Sequence, residues 1–362
     1  MSSTKLETVT APARAPMLAG ALERMPKWAI CIPLVLQWLW LSLRFGGASV
    51  PCAANPGITT GGMVGEGKLE YFAAMGPVAR AATAPWVGVR NTAALDAAAL
   101  RAAMAGAALS FPLIAKPDLG LCGHGVRRID GMAALLDYTR SYPLDETIVL
   151  QRYLPQPNEA GIFYARDPQT GAGRLIGLAL RFFPQVEGDG VRSVAQLMAA
   201  EPRLRRLAAS GAHTLADPAM VPAAGQRVRL ATIGSTRVGG LYLDGAELIT
   251  PALTAAVDAI ARDMGAFHFG RFDVRFDTAE ALRRGTGFTI MEVNGAGSEA
   301  IEAWDPATGL FEGLRRVFAK QRLLFEIGAA NRRRGAVIPG VLTLMRLNWR
   351  QNRLLDAYPP SN

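Results

Sequence analysis

Two stretches late in the chain carry metal-ligand residue types at strand spacing. In GRFDVRF (270–276), period-two alternation sets Arg271, Asp273 and Arg275 on one face. In FTIMEVN (288–294), Glu292 and Asn294 share a face, with Phe288 and Ile290 in the same row. If the two strands pair, Asp273, Glu292 and Asn294 converge beside Arg271. Two carboxylates and an amide oxygen are hard ligands, a set that suits Mg²⁺ bridging nucleotide phosphates. The flanking residues Phe272, Val274, Met291 and Val293 are apolar, so the acids would lie at a desolvated cleft where an unpaired charge is costly. The competing reading is an exposed polar face with ordinary salt bridges.

A third stretch, FPLIAKPDLGLCGHGV (111–126), reads as a strand that delivers Lys116 into a loop built on Gly120, Gly123 and Gly125. Backbone N–H groups in such a loop cradle phosphate oxygens, and an ammonium beside them offsets their charge. A surface turn with a snorkelling lysine is the plain alternative. GMVGEGK (62–68) imitates part of a P-loop, but Leu69 stands where Ser or Thr should hold Mg²⁺, and no strand precedes it. Lys68, at the start of a helix, can still touch phosphate in another architecture. GDG (188–190) either shapes a turn, with Ser193 and Gln196 forming a capping box for the helix that follows, or has a role beside the substrate. His268 lies near the metal strands and reads as a packing residue, so no general base is assignable.

The elements that must position these residues change character along the chain. Helices are expected over 67–82, 91–109, 131–141, 193–209, 251–265 and 311–327. Strands are expected over 111–117, 146–154, 159–166, 174–183, 227–234, 270–276 and 288–294. This is an α+β pattern with mostly antiparallel neighbours. The 362 residues are 50% hydrophobic and 19% charged, which excludes a disordered chain. Three Cys and three His, none at zinc spacing, exclude a disulfide framework and a histidine metal site and suit a reducing, intracellular setting. Of 39 basic residues, only Lys5, Lys27, Lys68, Lys116 and Lys320 are lysine.

The net charge of +9 leaves nucleic acid, membrane and phosphorylated ligands open. Residues 327–355 hold Arg332, Arg333, Arg334, Arg346, Arg350 and Arg353 and no acid, interleaved with apolar side chains. Such a segment suits an anionic membrane, each cation contributing about 1 kcal/mol near the surface; a solvated tail packed on the core is the alternative. No recognition motif accompanies the charge, so nucleic acid is not expected as a partner. Near the other end, the uncharged run 28–43 would span only about 24 Å as a helix, against roughly 30 Å of hydrocarbon. Its Trp28, Trp38 and Trp40 suit the headgroup level. Interfacial attachment, a buried helix and a single span all remain readings of it; a cleaved signal peptide is not expected.

The order of Lys116 with its glycine loop, VLQRYL…NEAGIF, GRFDV and MEVNGAGS resembles the ATP-grasp superfamily, over about residues 66–300. Within it the chain looks like the D-alanine–D-alanine ligase and cyanophycin synthetase branch of carboxylate–amine ligases, which GDGVRSVAQLM (188–198) and RVRLATIGSTRVGG (227–240) also resemble. The resemblance implies two α+β lobes gripping ATP, here with a reduced N-terminal domain and an apolar N-terminal helix. It implies phosphate contacts from Lys68 and Lys116 under loop 120–125, an adenine-side hinge at Gln151, Arg152, Tyr153 and Leu154, and ribose contacts from Glu159. Asp273, Glu292 and Asn294 would hold Mg²⁺ (or Mn²⁺), and Arg271 would steady the oxyanion of acyl transfer. The family usually carries a sizeable Rossmann-like domain first; here only about 65 residues precede Lys68.

The organisation this implies is a leader and membrane-associating segment (1–50), a reduced substrate-side region (51–110), a small lobe (111–155), a large lobe with the metal site (156–327) and a basic tail (328–362). The implied activity is ATP-dependent amide or peptide bond formation between a carboxylate and an amine, small or lipid-linked, through an acyl phosphate with release of ADP and phosphate. The expected location is the cytoplasmic face of a membrane, peripherally attached. A phosphotransferase or carboxylate–thiol ligase on the same fold, and a non-catalytic membrane-bound nucleotide-binding protein, are the alternatives.

Overall fold

In chain order the strands are β1 (Trp86–Arg90), β2 (Leu113–Pro117), β3 (Arg127–Ile129), β4 (Thr147–Arg152), β5 (Asn158–Arg166), β6 (Gly173–Phe182), β7 (Gln185–Glu187), β8 (Arg227–Arg229), β9 (Leu241–Asp244), β10 (Phe269–Phe276) and β11 (Phe288–Asn294). This is a computed structural model, and it describes residues 19–362. Of the leader expected at the N-terminus, residues 1–18 lie outside the described residues. Among the described residues the strands form a small sheet β1-β4-β2-β3, a large sheet β11-β10-β5-β6-β9 and a ribbon β7-β8. Every pairing between these strands is antiparallel. The expected two-lobed α+β class with an apolar N-terminal helix is therefore the one observed.

The large sheet explains the alternation in its sequence. Phe272, Val274 and Phe276 of β10 turn to one face, where they bury with Ile162, Ile290 and Val293 against Leu253, Val257 and Ile260 of the helix Pro251–Asp263. That helix starts where the Thr250 hydroxyl caps the Leu253 N–H and proline supplies the first-turn geometry. Burying each such apolar side chain contributes about 1.5–3 kcal/mol, so Phe272→Ala would cost about 3–5 kcal/mol. Arg271, Asp273 and Arg275 are thereby forced to the opposite face. The small lobe repeats the logic, with Leu100 and Leu135, from the helices Ala97–Gly106 and Met132–Ser141, packing on Leu113, Ile148 and Leu150.

Several elements differ from the sequence reading. β1 was not expected, and because it pairs with β4 the small sheet begins at Trp86 rather than after residue 110. The helix expected over 67–82 is two, Lys68–Ala73 and Pro77–Ala81, because Pro77 has no N–H to continue the first. The helix over 193–209 is likewise divided around Pro202. The strand over 227–234 shrinks to β8, and the helix over 311–327 grows to Leu310–Arg333. The basic tail contains a helix, Val341–Ala357, whose Leu354 enters the small-lobe core with Tyr358.

The apolar segment is a helix, Lys27–Phe45, closed by Gly46 in the left-handed region at φ 77°. It is long and apolar enough to cross a membrane by length and composition. One side lies on the helix Leu310–Arg333: Leu41 is fully buried, Trp38 meets Phe325 edge-on at 4.8 Å, and Gln37 donates to the Phe318 carbonyl at 2.8 Å. The other side presents Trp28, Ile32, Leu36, Leu39 and Leu43 outward at helical spacing.

Candidate functional site

Pairing of β10 with β11 brings the proposed ligands together. Asp273 stands opposite Glu292 and Arg271 opposite Asn294, so all four side chains share the face away from the helix-packed core. On the other side of β10, Gly161 of β5 faces Asp273. A Cβ at Gly161 would come 2.9 Å from Arg271 Cδ and 3.2 Å from Asp273 Oδ1, so the glycine is what lets arginine lie across the sheet. A register shift follows Asp273, leaving Met291 without an opposing residue on β10.

The acids are held by cations. Arg271 grips Asp273 with Nε on Oδ1 at 2.6 Å and Nη2 on Oδ2 at 3.1 Å. Arg181 of β6 reaches Oδ2 of the same carboxylate at 3.1 Å with Nη1, and lays Nε 3.1 Å from Glu159 Oε1. Arg275 holds the other Glu159 oxygen at 3.2 Å. The Asn294 amide N–H donates to Asp273 Oδ2 at 3.2 Å. Burial alone would push Glu292 upward, but Lys68, Lys116 and Arg271 outweigh it and hold the carboxyl below the usual range. Burial likewise opposes the Arg181 and Arg271 charges, and their carboxylate partners more than offset it.

Two lysines enter from the opposing side. Lys68 opens the short helix Lys68–Ala73, whose Leu69 N–H is held by Asp118 Oδ1 at 2.8 Å, just after β2. Its ammonium lies 3.3 Å from Glu292 Oε1. Lys116 of β2 donates to Gln151 Oε1 at 2.7 Å and, across the cleft, to the Met291 carbonyl at 2.9 Å. Burial drives the Lys116 ammonium down to about 8, against the pull of Glu292. Five cations thus surround three carboxylates, an arrangement that attracts a polyanion.

The loop expected to close over phosphate runs between lobes. Gly120 sits beside Lys68, and a Cβ there would be 3.1 Å from Nζ. Gly123 and Gly125 adopt φ of +73° and +70°, a region that favours glycine. The C-terminal residues strap this loop. Tyr358 Oη donates to the Leu119 carbonyl at 2.6 Å, Ser361 Oγ to the Gly123 carbonyl at 2.7 Å, and Asn362 N to the Val126 carbonyl at 3.3 Å. The same strap accepts from His213 N at 2.8 Å and Thr232 N at 3.0 Å, on the excursion around the β7-β8 ribbon.

Other expected residues sit differently from the sequence reading. Gln151 is buried with its amide committed to Lys116 and to the Ala84 carbonyl at 3.3 Å, so it does not face outward as a hinge group. Both Glu159 oxygens are taken by arginines, which makes it part of the charged row. Arg152 is exposed, donating to the Ala108 carbonyl at 3.4 Å, Tyr153 lies under Arg128 at 4.8 Å and Leu154 is buried. His268 turns Nδ1 to the Ala266 carbonyl at 2.9 Å, as a packing residue would. Ser193 and Gln196 form the expected capping box. Sequence reasoning missed Arg181, although a lone charge inside the apolar run LIGLALRF was its signal.

The donor set fits a hard divalent cation in type. Among the described residues Asp273 Oδ1 accepts only the Arg271 Nε–H, which leaves a lone pair, and Glu292 keeps about 32% of its side chain open to the cleft. Among the described residues no cluster of three His, Cys, Asp or Glu side chains offers a metal site, so an amide oxygen must complete any set here.

No protein-family model and no curated protein matches the sequence. Among solved structures the chain is similar to a bifunctional glutathione synthetase from Pasteurella multocida, at 18% identity and TM-score 0.39, over 70% of this chain and 36% of that one. It is similar to a D-alanine–D-alanine ligase from Bacillus anthracis, at 14% identity and TM-score 0.37, over 70% and 66%. A third likeness is to a carboxyaminoimidazole ribonucleotide synthase from Aspergillus clavatus complexed with ATP, at 13% identity and TM-score 0.35, over 64% and 44%. The chain spans less than two thirds of the length of each. At these values the likenesses carry no argument of their own, and the case for function stands on the site.

Proposed function

We propose that the chain is an ADP-forming carboxylate–amine ligase of the ATP-grasp type, attached to a membrane surface. The observation that carries this reading is the convergence of Asp273, Glu292 and Asn294 on one sheet face, with Lys68 of the helix Lys68–Ala73 and Lys116 of β2 reaching toward them. Asp273, Glu292 and Asn294 would hold Mg²⁺ (or Mn²⁺), which when bound offsets charge on nucleotide phosphates. Lys68 and Lys116 attract the phosphate oxygens, and loop 120–125 covers them with backbone N–H groups. A substrate carboxylate attacks the γ-phosphate, giving an acyl phosphate and ADP. An amine then attacks the acyl carbon, and phosphate leaves. Arg271, fixed by Asp273, presents its guanidinium toward the oxyanion that forms. Arg152, Tyr153 and Leu154 would border the base, and Glu159 would reach the ribose only through the exchange of an arginine contact.

Purified protein given ATP, Mg²⁺ and a panel of carboxylates and amines should release ADP and phosphate only when both partners are present. Steady AMP release would overturn the acyl-phosphate route.

The membrane reading is supported by the outward row Trp28, Ile32, Leu36, Leu39 and Leu43, with Leu342, Met345 and Trp349 exposed on the helix Val341–Ala357. Flotation with vesicles should be lost when Leu36, Leu39 and Leu43 are changed together to Ser. Equal flotation of that variant would remove this face as the attachment.

A further inference from the structure

A cavity of about 250 Å³ opens where the β5–β6 hairpin meets the last turns of the helix Leu310–Arg333. Leu323, Ile327 and Ala330 form its apolar wall, and Arg166, Arg174 and Arg333 its cationic one. The two acids at its edge are already engaged. Asp167 Oδ1 accepts the Gln169 N–H at 2.7 Å, and Glu326 accepts Arg322 Nε at 2.8 Å. Arg166 is only 8% exposed, and one Nη–H donates to the Gly265 carbonyl. A phosphate group, with several oxygens matched to guanidinium forks, is the chemistry that answers three arginines.

The cavity is separate from the candidate active site. Ala165 at its wall lies four residues along β5 from Gly161, which faces Asp273, and four strand residues extend about 13 Å. No residue of the apolar helix lines it, but the chain on either side of Arg333 reaches that helix and the hairpin. Arg332 Nη1 donates to the Gly46 carbonyl at that helix's C-cap at 3.0 Å, and Arg334 Nη1 donates to Pro168 on the hairpin at 2.5 Å. Arg333 lies between these two in the chain and lines the cavity.

We propose that this cavity binds the phosphate headgroup of an anionic lipid, with Arg166, Arg174 and Arg333 as donors, beside the apolar face that enters the bilayer. The proposal rests on the membrane-surface reading, and phosphate bound here could also come from a soluble ester, so the experiment separates both.

Full-length protein is floated with phosphatidylcholine vesicles and with phosphatidylcholine vesicles doped with phosphatidic acid. Wild type should prefer the acidic vesicles several-fold. The exposed double variant R174Q/R333Q should lose that preference while still floating on neutral vesicles. R346Q/R353Q, with equal charge loss elsewhere, should keep it. Undiminished preference in R174Q/R333Q overturns the headgroup site, as does wild type floating equally on both vesicles, although the latter leaves membrane attachment standing. If wild type floats on neither, attachment fails and a second arm decides. A melting temperature raised by inorganic phosphate or glycerol phosphate in wild type but not in R174Q/R333Q would assign the cavity to a soluble ester and overturn the lipid assignment. No shift in either would overturn the anion site altogether.

Discussion

Asp273 and Glu292 face each other directly across the β10–β11 pair, yet they are held by cations from different elements. Asp273 is gripped by Arg271 and Arg181 from its own sheet, whereas Glu292 is paired with Lys68 from outside it. Glu292 is therefore the carboxylate that can change partners when a ligand enters. Glu292→Gln keeps the shape and removes the charge, so it should lower ADP release by more than about a hundredfold. The melting temperature should move little, because a single partly open ion pair contributes about 1 kcal/mol or less. Retained turnover would remove Glu292 from the metal site.

The C-terminal strap gives a second expectation. Tyr358, Ser361 and Asn362 tie loop 119–126 to the excursion around β7-β8, so the strap positions the loop without touching a reacting atom. Tyr358→Phe removes one hydrogen bond, about 1 kcal/mol. Steady-state kinetics should show the Michaelis constant for ATP raised several-fold with kcat less affected, and removal of residues 358–362 should enlarge the same effect. A fall in kcat alone, at constant affinity, would deny the strap a role in nucleotide binding.

Much of this was legible in the sequence because strand alternation is local. The spacing within GRFDVRF and FTIMEVN placed the charged row on one face before any pairing was known. What was not legible depended on distant partners. β1 is a strand because β4 offers it an edge, and WVGVR alone has too short a pattern to say so. Gln151 faces inward because Lys116, 35 residues away, needs an acceptor. The tail becomes a helix and a strap because Leu354 and Tyr358 fill the small-lobe core, a consequence of packing that no basic run discloses.

Glu66 should make stability depend on pH. Burial drives its carboxyl up to about 7, against the attraction of Lys68, and Glu70 and Glu292 add to the rise. Its Oε2 is buried without a hydrogen-bond partner among the described residues. The folded state therefore holds this proton more tightly than the unfolded chain does. The contribution is fully present below about pH 4.5 and is lost as pH rises through 7, at about 1.4 kcal/mol per unit of difference. Glu66→Gln should be nearly neutral at pH 4.5 and stabilising at pH 8 in urea melts. A constant difference between variant and wild type at all pH would refute the linkage.

Lys320 and Glu302 set the last expectation. Lys320 is one of the five lysines, buried in the helix Leu310–Arg333, with Nζ 2.6 Å from Glu302 Oε1 and 3.2 Å from the Phe163 ring centre. Burial pulls its ammonium down to about 8, and Glu302 only partly restores it. Gly177 makes room for the pair, since a Cβ there would lie 2.9 Å from Glu302 Oε1 and 3.2 Å from Lys320 Nζ. Removing one partner leaves a buried charge alone, so Lys320→Met should cost about 3–5 kcal/mol. Lys320→Met with Glu302→Leu should recover most of that loss, because two desolvation costs vanish with the attraction that offset them. Additive losses in the double variant would mean that each side chain is held by its surroundings rather than by the other.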